Sequence, residues 1–240
     1  MLEIKNLSVE YEKRIVVSDA SLTVAPGEIY CITGRSGSGK STILNAVNGT
    51  LGASGRITGG SITVSGEVLC QGGKYTPALR RMQGRQLAWI SQYPDRSFDP
   101  LFPIGKQMRE VMLVSRRISR AQAKEEACKR FEELHLTDSE RVWNSYPHEL
   151  SGGMCQRVAI AMALANQAEY LLADEPTSAL DVTSQADLVK LLKEVAHTEH
   201  LGILLVTHNM DVAHALSDRI GILKDGHLME VEDEHALAVH

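Results

Sequence analysis

The 240-residue sequence lacks any run of apolar residues long enough to cross a membrane as a helix. Such a helix needs roughly 18 or more consecutive apolar residues. Apolar runs such as Leu201–Val206 have only the length of a strand. No apolar region follows Met1–Lys5, so the first residues do not resemble a signal peptide. From these absences we expect a cytoplasmic protein, unless a partner holds it elsewhere.

Cysteine is also scarce, and acidic residues outnumber basic ones. The four cysteines lie far apart and form no CxxC pair, which argues against a zinc site and against a disulfide framework. Lysine and arginine total 25 against 30 acidic residues, a formal net charge of −5. Nucleic-acid-binding proteins are normally basic, so no nucleic-acid partner is expected. A phosphate ligand stays compatible with this charge, because a nest of backbone N–H groups binds anions inside an acidic protein.

Hydrophobic patterning divides the chain into three parts. The first 70 residues read mostly as strands, with one helix after a glycine-rich loop. The stretch from about Gly105 to Leu136 has helical spacing, and Ser119 with Gln122 forms a capping box. The last third alternates helices with strands, which predicts a parallel sheet. Its predicted strands are Tyr170–Ala173, Leu201–Thr207 and Arg219–Leu223, and a short acidic tail, 230–240, follows them.

The strand Glu28–Thr33 leads directly into Gly-Arg-Ser-Gly-Ser-Gly-Lys-Ser, which fits the phosphate-binding pattern GxxxxGK[ST]. Glycines let the backbone curl so that its N–H groups point at a phosphate, and the following helix adds its positive N-terminal end. Lys40 brings a charge to the β- and γ-phosphates, and the Ser41 hydroxyl can ligate Mg²⁺. The predicted phosphate site comprises Gly34, Arg35, Ser36, Gly37, Ser38, Gly39, Lys40, Ser41 and Thr42.

Two carboxylates and a histidine end the strands of the last third. Asp174 is placed to hold Mg²⁺, directly or through water. Glu175 follows at the sheet edge where ligands bind, where a carboxylate can orient or deprotonate an attacking water. Two acids at the start of a helix are the alternative interpretation. From the end of its strand, His208 can contact a γ-phosphate. The alternative interpretation is that His208 is structural or simply exposed to solvent.

The segment Leu150-Ser151-Gly152-Gly153-Met154-Cys155-Gln156 is by itself an N-cap and an anion nest before a helix. Between the phosphate loop and Asp174, it resembles the signature motif of ATP-binding cassette (ABC) ATPases. Further matches cover nearly the whole chain: Tyr11 resembles the aromatic residue that stacks on adenine, Gln92 the Q-loop glutamine, Ser178–Asp181 the D-loop, and His208 the switch histidine. Cys155 departs from the Gln or Arg usual there; a packed thiol and a thiol whose modification blocks dimer closure are both open interpretations.

This resemblance implies an α/β P-loop NTPase fold with a RecA-like parallel-sheet core, an N-terminal antiparallel β subdomain and an inserted α-helical subdomain. The chain 1–240 would be a single ABC ATPase domain. Within it, 1–92 and 157–240 would form the catalytic core with the β subdomain. The helical and signature subdomain would span about 93–156.

The resemblance also implies a head-to-tail dimer with ATP and Mg²⁺ bound at the interface. Glu175, His208 and Lys40 would be catalytic, and Ser41, Gln92 and Asp174 would hold the metal. Ser151 and Gly153 would reach across to the γ-phosphate bound by the other subunit. ATP contacts are further implied for Tyr11, Gln92, Gly152 and Asp181.

The sequence around Gln92–Pro100 and Ile104–Gln107, and Asn144–Leu150, is similar to dipeptide, oligopeptide and nickel importer ATPases. Phe98 is closest to the nickel-type members. The resemblance implies two integral membrane permease subunits, a sister ATPase in a heterodimer or homodimer, and an extracytoplasmic solute-binding protein. The chain would then sit peripherally on the cytoplasmic face of the inner membrane. Residues 93–107, here named the docking segment, would contact the permease; an ordinary surface loop is the alternative. A soluble ATPase subunit of a phosphonate-degradation or cluster-assembly complex is the alternative function.

Overall fold

Two β-sheets organise residues 1–231, the part of the chain that the computed structural model describes. The strands are β1 (Leu2–Tyr11), β2 (Arg14–Val24), β3 (Ile29–Thr33), β4 (Gly55–Val64), β5 (Glu67–Gln71), β6 (Lys74–Tyr75), β7 (Leu87–Ile90), β8 (Tyr170–Asp174), β9 (Gly202–Val206), β10 (Arg219–Lys224) and β11 (His227–Glu230). The helices are α1 (Lys40–Asn48), α2 (Pro77–Met82), α3 (Ile104–Ser115), α4 (Arg120–Glu133), α5 (Ser139–Asn144), α6 (Gly152–Ala165), α7 (Val182–Thr198) and α8 (Met210–Leu216). Residues 232–240 of the predicted acidic tail lie outside the described part.

The N-terminal sheet is antiparallel, in the order β2-β1-β4-β5-β6. β1 and β2 are joined by Glu12 and Lys13, whose φ angles are 48° and 69°. Positive φ at both central residues is the geometry of a type I′ turn, which suits the twist of a hairpin. The apolar residues Leu2, Ile4, Leu7 and Val9 of β1 are buried as the sequence pattern predicts, and a register shift between Ile4 and Leu7 interrupts the alternation.

The second sheet has the order β11-β10-β3-β9-β8-β7, and its strands are parallel except for β11. Every residue of β3 and β9 is buried, which explains why these strands read as continuous apolar runs. The predicted parallel sheet is confirmed. Because these strands are parallel, the carboxyl ends of β3, β8 and β9 lie together at one edge of the sheet, where ligands bind in such folds.

Between β7 and β8 the chain is mainly helical, from α3 to α6. The predicted helical stretch is two helices, because Arg116 ends α3 in an extended conformation and Ser119 caps α4. The capping box of Ser119 and Gln122 is confirmed. Buried side chains such as Met108 and Phe131 join the apolar core beneath the parallel sheet. Among residues 1–231, no helix has both the length and the apolar character needed to cross a membrane.

Candidate functional site

The loop between β3 and α1 begins the site. A Cβ atom on Gly34 would lie 2.5 Å from the carbonyl oxygen of Leu223, and one on Gly39 would lie 2.9 Å from Val16 Cγ1. Both glycines also have positive φ, 147° and 105°, so larger residues would meet both steric overlap and backbone strain. The loop closes tightly onto the start of α1, whose first N–H groups have no acceptor within the helix.

Lys40 is folded back into this loop. Its side chain is buried, and Nζ donates hydrogen bonds to the carbonyl oxygens of Gly34 at 2.9 Å and Arg35 at 3.1 Å. An ammonium group has three N–H donors, so one remains for an anion. The loop therefore holds a positive charge beside the first turn of α1, a combination that is suited to a polyphosphate.

Ser41 and Asp174 lie side by side although they come from α1 and β8. Ser41 Oγ donates to Asp174 Oδ1 at 2.9 Å. Burial raises the pKa of Asp174 above its usual value, because the ionised carboxylate is partly removed from water. Both side chains offer hard oxygen ligands, and a cation beside them would offset the desolvation of the carboxylate. The donor set thus fits Mg²⁺, which takes one or two protein oxygens together with phosphate oxygens and water.

Glu175 is held by two groups from the end of β9. His208 Nδ1 lies 2.7 Å from Glu175 Oε1, and Thr207 Oγ1 donates to Glu175 Oε2 at 3.3 Å. A carboxylate only accepts, so Nδ1 is the protonated nitrogen of His208. Thr207 is buried and was missed by sequence reasoning; its signal is a threonine that ends an otherwise apolar strand.

A cavity of about 430 Å³ brings most of the predicted residues together. Its lining comprises Tyr11, Val16, Ser36, Gly37, Gly39, Lys40, Ser41, Thr42, Gln92, Asp174, Glu175 and His208. A second cavity, of about 1420 Å³, adjoins the phosphate loop and is lined by Gly34, Arg35 and Ser38 together with Tyr11 and the β10–β11 turn. The two cavities share Tyr11, Val16, Ser36 and Gly37 as lining residues, so the phosphate loop and the aromatic residue border both.

Tyr11 borders both cavities, and its position depends on Gly55. The two residues are partners in the pairing of β1 with β4. A Cβ on Gly55 would lie 2.6 Å from Tyr11 Cε1, so the phenol ring lies directly against the glycine backbone. Sequence reasoning missed Gly55, because its role depends on strand register.

The signature residues are not part of this cavity. Ser151 caps α6 and accepts a hydrogen bond from Met154 N at 3.3 Å, while Gly152 and Gly153 lie near Leu180. Asp181 caps α7, and its carboxylate binds Ser184. Hydrogen bonds from Ser184 lower the pKa of Asp181. The predicted contacts of these residues with nucleotide stay predictions that require a second subunit.

Cys155 is completely buried, and its thiol lies 3.7 Å from the carbonyl oxygen of Pro147. Burial raises the pKa of this thiol to about 11. A buried, protonated thiol reacts slowly, so the structure favours the packed-thiol interpretation over the modification interpretation.

Comparison with known proteins places these features in a family. A family model described as "ABC transporter" matches residues 17–178. The oligopeptide transport ATP-binding protein OppD of Escherichia coli K12 is 36% identical over 234 residues, which are 96% of this chain and 68% of that protein. The oligopeptide transport ATP-binding protein AmiE of Streptococcus pneumoniae serotype 4 is 35% identical over 234 residues, which are 96% of this chain and 66% of that protein.

Solved structures agree with the sequence comparison. The dimeric structure of MJ0796, described as a bacterial ABC transporter cassette, superposes with a TM-score of 0.80 at 29% identity, covering 96% of this chain and 98% of that one. The same cassette in a dimeric post-hydrolysis state bound to ADP and Pi gives a TM-score of 0.79 over the same coverage. The expected fold class is therefore confirmed.

Proposed function

The chain belongs to the ABC transporter family, and from this premise we propose that it is the ATP-binding and ATP-hydrolysing subunit that powers peptide import through a membrane permease. The observation that carries the proposal is the cavity in which the phosphate loop meets the Ser41–Asp174 pair and the Glu175–His208 pair. These groups can respectively bind phosphates, hold a divalent cation and activate water.

ATP binding would use the phosphate loop and Tyr11. Lys40 would direct its remaining N–H to the β- and γ-phosphates, and Tyr11 would stack on adenine. Mg²⁺ would be held by Ser41 and Asp174, with Gln92 as a further ligand from the end of β7. The metal supplies charge neutralisation at the γ-phosphate when it is bound.

Hydrolysis would begin at Glu175. Its carboxylate is held by Thr207 and His208, and among residues 1–231 no lysine or arginine forms an ion pair with it. The carboxylate can therefore accept a proton from a water near the γ-phosphate. His208 has a 60% exposed side chain, and its Nε2 can contact the phosphate while Nδ1 orients Glu175. A general base of this kind contributes roughly 10²- to 10⁴-fold in rate.

Two such subunits would close head to tail over two nucleotides. Ser151, Gly152 and Gly153 would then contact the γ-phosphate bound by the opposite subunit, with Asp181 near the same interface. Each charge-assisted hydrogen bond contributes about 1.5–3 kcal/mol. ADP lacks the γ-phosphate and forms fewer of these bonds, so ATP favours the closed dimer and ADP the open one. The partner would be a sister ATPase or a second copy.

The docking segment, 93–107, exposes apolar side chains of the kind that form protein–protein contacts. Leu101 is 76% exposed, and Tyr93 and Phe102 are also exposed. Arg96 lies over the Tyr93 ring and Lys106 over the Phe102 ring, so cations border the apolar surface. We propose that this segment contacts the cytoplasmic side of two permease subunits, which holds the chain peripherally at the inner membrane. The permease would receive solute from an extracytoplasmic binding protein.

The solute we propose is a peptide, since OppD and AmiE are named as oligopeptide transport proteins. The nickel interpretation stays a prediction that rests on Phe98 alone. That side chain is buried in the core with Ile104 and Met108, so its identity reflects packing of the docking segment. Nothing in the site geometry favours the alternative of a non-transport complex.

The test uses a tagged Glu175→Gln variant, which should bind ATP and turn it over very slowly. Loaded with Mg²⁺-ATP in its native cells and extracted from membranes with detergent, it should co-purify with two integral membrane proteins and an ATPase partner. Glu194→Gln, an exposed change on α7, is the matched control and should not accumulate the ATP-bound complex. Recovery of soluble enzymes alone would refute transport and leave the ATPase assignment intact.

A further inference from the structure

We infer that Ser178 is a positioning residue that determines which atom of the Gln92 amide faces the nucleotide cavity. The inference rests on the proposed function, in which Gln92 is a ligand of Mg²⁺. Two linked hydrogen bonds support the inference: Ser178 Oγ donates to the carbonyl oxygen of Glu175, and Gln92 Nε2 donates to Ser178 Oγ.

These two hydrogen bonds start in a tight turn directly after β8. Ser178 N donates to the carbonyl oxygen of Glu175 at 3.2 Å, which closes a four-residue turn with Pro176 at its second position. Proline favours that position because its φ is already fixed near −65°. The turn brings Ser178 Oγ to 3.0 Å from the same carbonyl oxygen. The sequence Glu-Pro-Thr-Ser therefore places a hydroxyl beside the catalytic carboxylate residue.

The Ser178 hydroxyl has a single hydrogen, so it can donate only one hydrogen bond. A carbonyl oxygen only accepts, so Ser178 Oγ–H donates to Glu175. Toward any other neighbour Ser178 Oγ must accept. Gln92 approaches it at 2.9 Å and therefore presents Nε2, the donor end of its amide. An inverted amide would set two acceptor oxygens against each other.

With Nε2 bound to Ser178, Oε1 is the atom of the Gln92 amide that is left for another partner. Gln92 lines the same cavity as Ser41 and Asp174. Mg²⁺ and Mn²⁺ bind amide groups through the carbonyl oxygen and not through the NH₂ group. Ser178 thus keeps the ligating atom of Gln92 available to the metal and ties it to the backbone of Glu175.

The experiment measures metal affinity directly. Mn²⁺ replaces Mg²⁺, a non-hydrolysable ATP analogue is present, and free Mn²⁺ is followed by electron paramagnetic resonance with the full chain. Ser178→Ala should weaken Mn²⁺ binding about 3- to 10-fold, the ratio expected when one hydrogen bond no longer selects the amide orientation. Ser178→Thr keeps a hydroxyl and should restore wild-type affinity. Thr198→Ala removes another hydroxyl-to-carbonyl bond, at the end of α7, and should change nothing.

Three further measurements separate the possible failures. If Gln92→Ala weakens Mn²⁺ binding but Ser178→Ala does not, the positioning role is wrong and the proposed metal ligand stands. If neither change weakens it, the assignment of Gln92 to the metal fails first. If Ser178→Ala lowers affinity for the metal-free analogue equally and Ser178→Thr does not restore it, Ser178 has only a structural role. Support requires, in addition, that Ser178→Ala has no further effect in a Gln92→Ala background.

Discussion

Gly105→Ala should destabilise the helical region, although alanine is normally the better helix residue. Gly105 lies in the first turn of α3, and the indole ring of Trp143 from α5 covers it. A Cβ at this position would lie 2.6 Å from Trp143 Cγ and closer still to two other ring carbons. The backbone of the preceding residue is also fixed, since Ile104 N donates to the carbonyl oxygen of Ser145 at 2.8 Å.

The magnitude follows from two opposing terms. Gly-to-Ala replacement inside a helix stabilises by up to about 1 kcal/mol. Overpacking of a filled core costs about 1–3 kcal/mol, and the upper part of that range applies because Trp143 is only 9% exposed and has little room to move. The net loss should be about 1–2 kcal/mol, which lowers Tm by about 2–8 °C in a chain of this size.

Thermal and denaturant unfolding, followed by tryptophan fluorescence, measure this change. The decisive comparison is the same substitution in a Trp143→Leu background, where the obstructing ring is gone. There Gly105→Ala should become neutral or stabilising. The reasoning is refuted if Gly105→Ala stabilises the wild-type chain, or if its effect is the same in both backgrounds.

Three further outcomes are expected. Lys40→Ala should weaken ATP binding roughly 10- to 150-fold by calorimetry, and unchanged binding would remove the phosphate-loop assignment. Burial raises the pKa of Asp174, so ionisation of this carboxyl lowers folding stability as the pH rises through that pKa. Asp174→Asn removes the ionisation and should raise Tm at neutral pH. In a pH series, this increase in Tm should vanish below about pH 4. Gly55→Ala should displace the Tyr11 ring and weaken ATP binding about 3- to 10-fold without affecting inorganic triphosphate, whereas Gly59→Ala, with no neighbour closer than 3.9 Å, should affect neither.

The sequence predicts where several candidate site residues lie, because the patterns that place them are local. The phosphate loop depends on glycines and a lysine within one turn, and the parallel sheet requires the ends of its strands to share an edge. The positions of Lys40, Asp174 and His208 around one cavity could therefore be expected before any coordinates. The same holds for the capping box of α4, whose partners are three residues apart.

What the sequence could not predict depends on register and packing between distant segments. Gly55 meets Tyr11 only because β1 and β4 pair in one particular register. Gly105 meets Trp143 only through the packing of α3 on α5. No periodicity encodes such contacts, so both glycines read as ordinary residues until the pairing partners are known.

The docking segment is directly joined in sequence to a residue that lines the cavity. Tyr93, the first residue of that segment, directly follows Gln92, and Gln92 lines the cavity. A displacement of the segment by a permease would therefore reach the proposed metal site through the side-chain amide of Gln92, whose nitrogen is bound to Ser178. Because Ser178 is itself bound to the Glu175 carbonyl, the same displacement would change the surroundings of the proposed metal ligand and of the proposed catalytic base together. We expect Ser178→Ala to lower the amount of solute imported per ATP hydrolysed more than it lowers ATP hydrolysis itself.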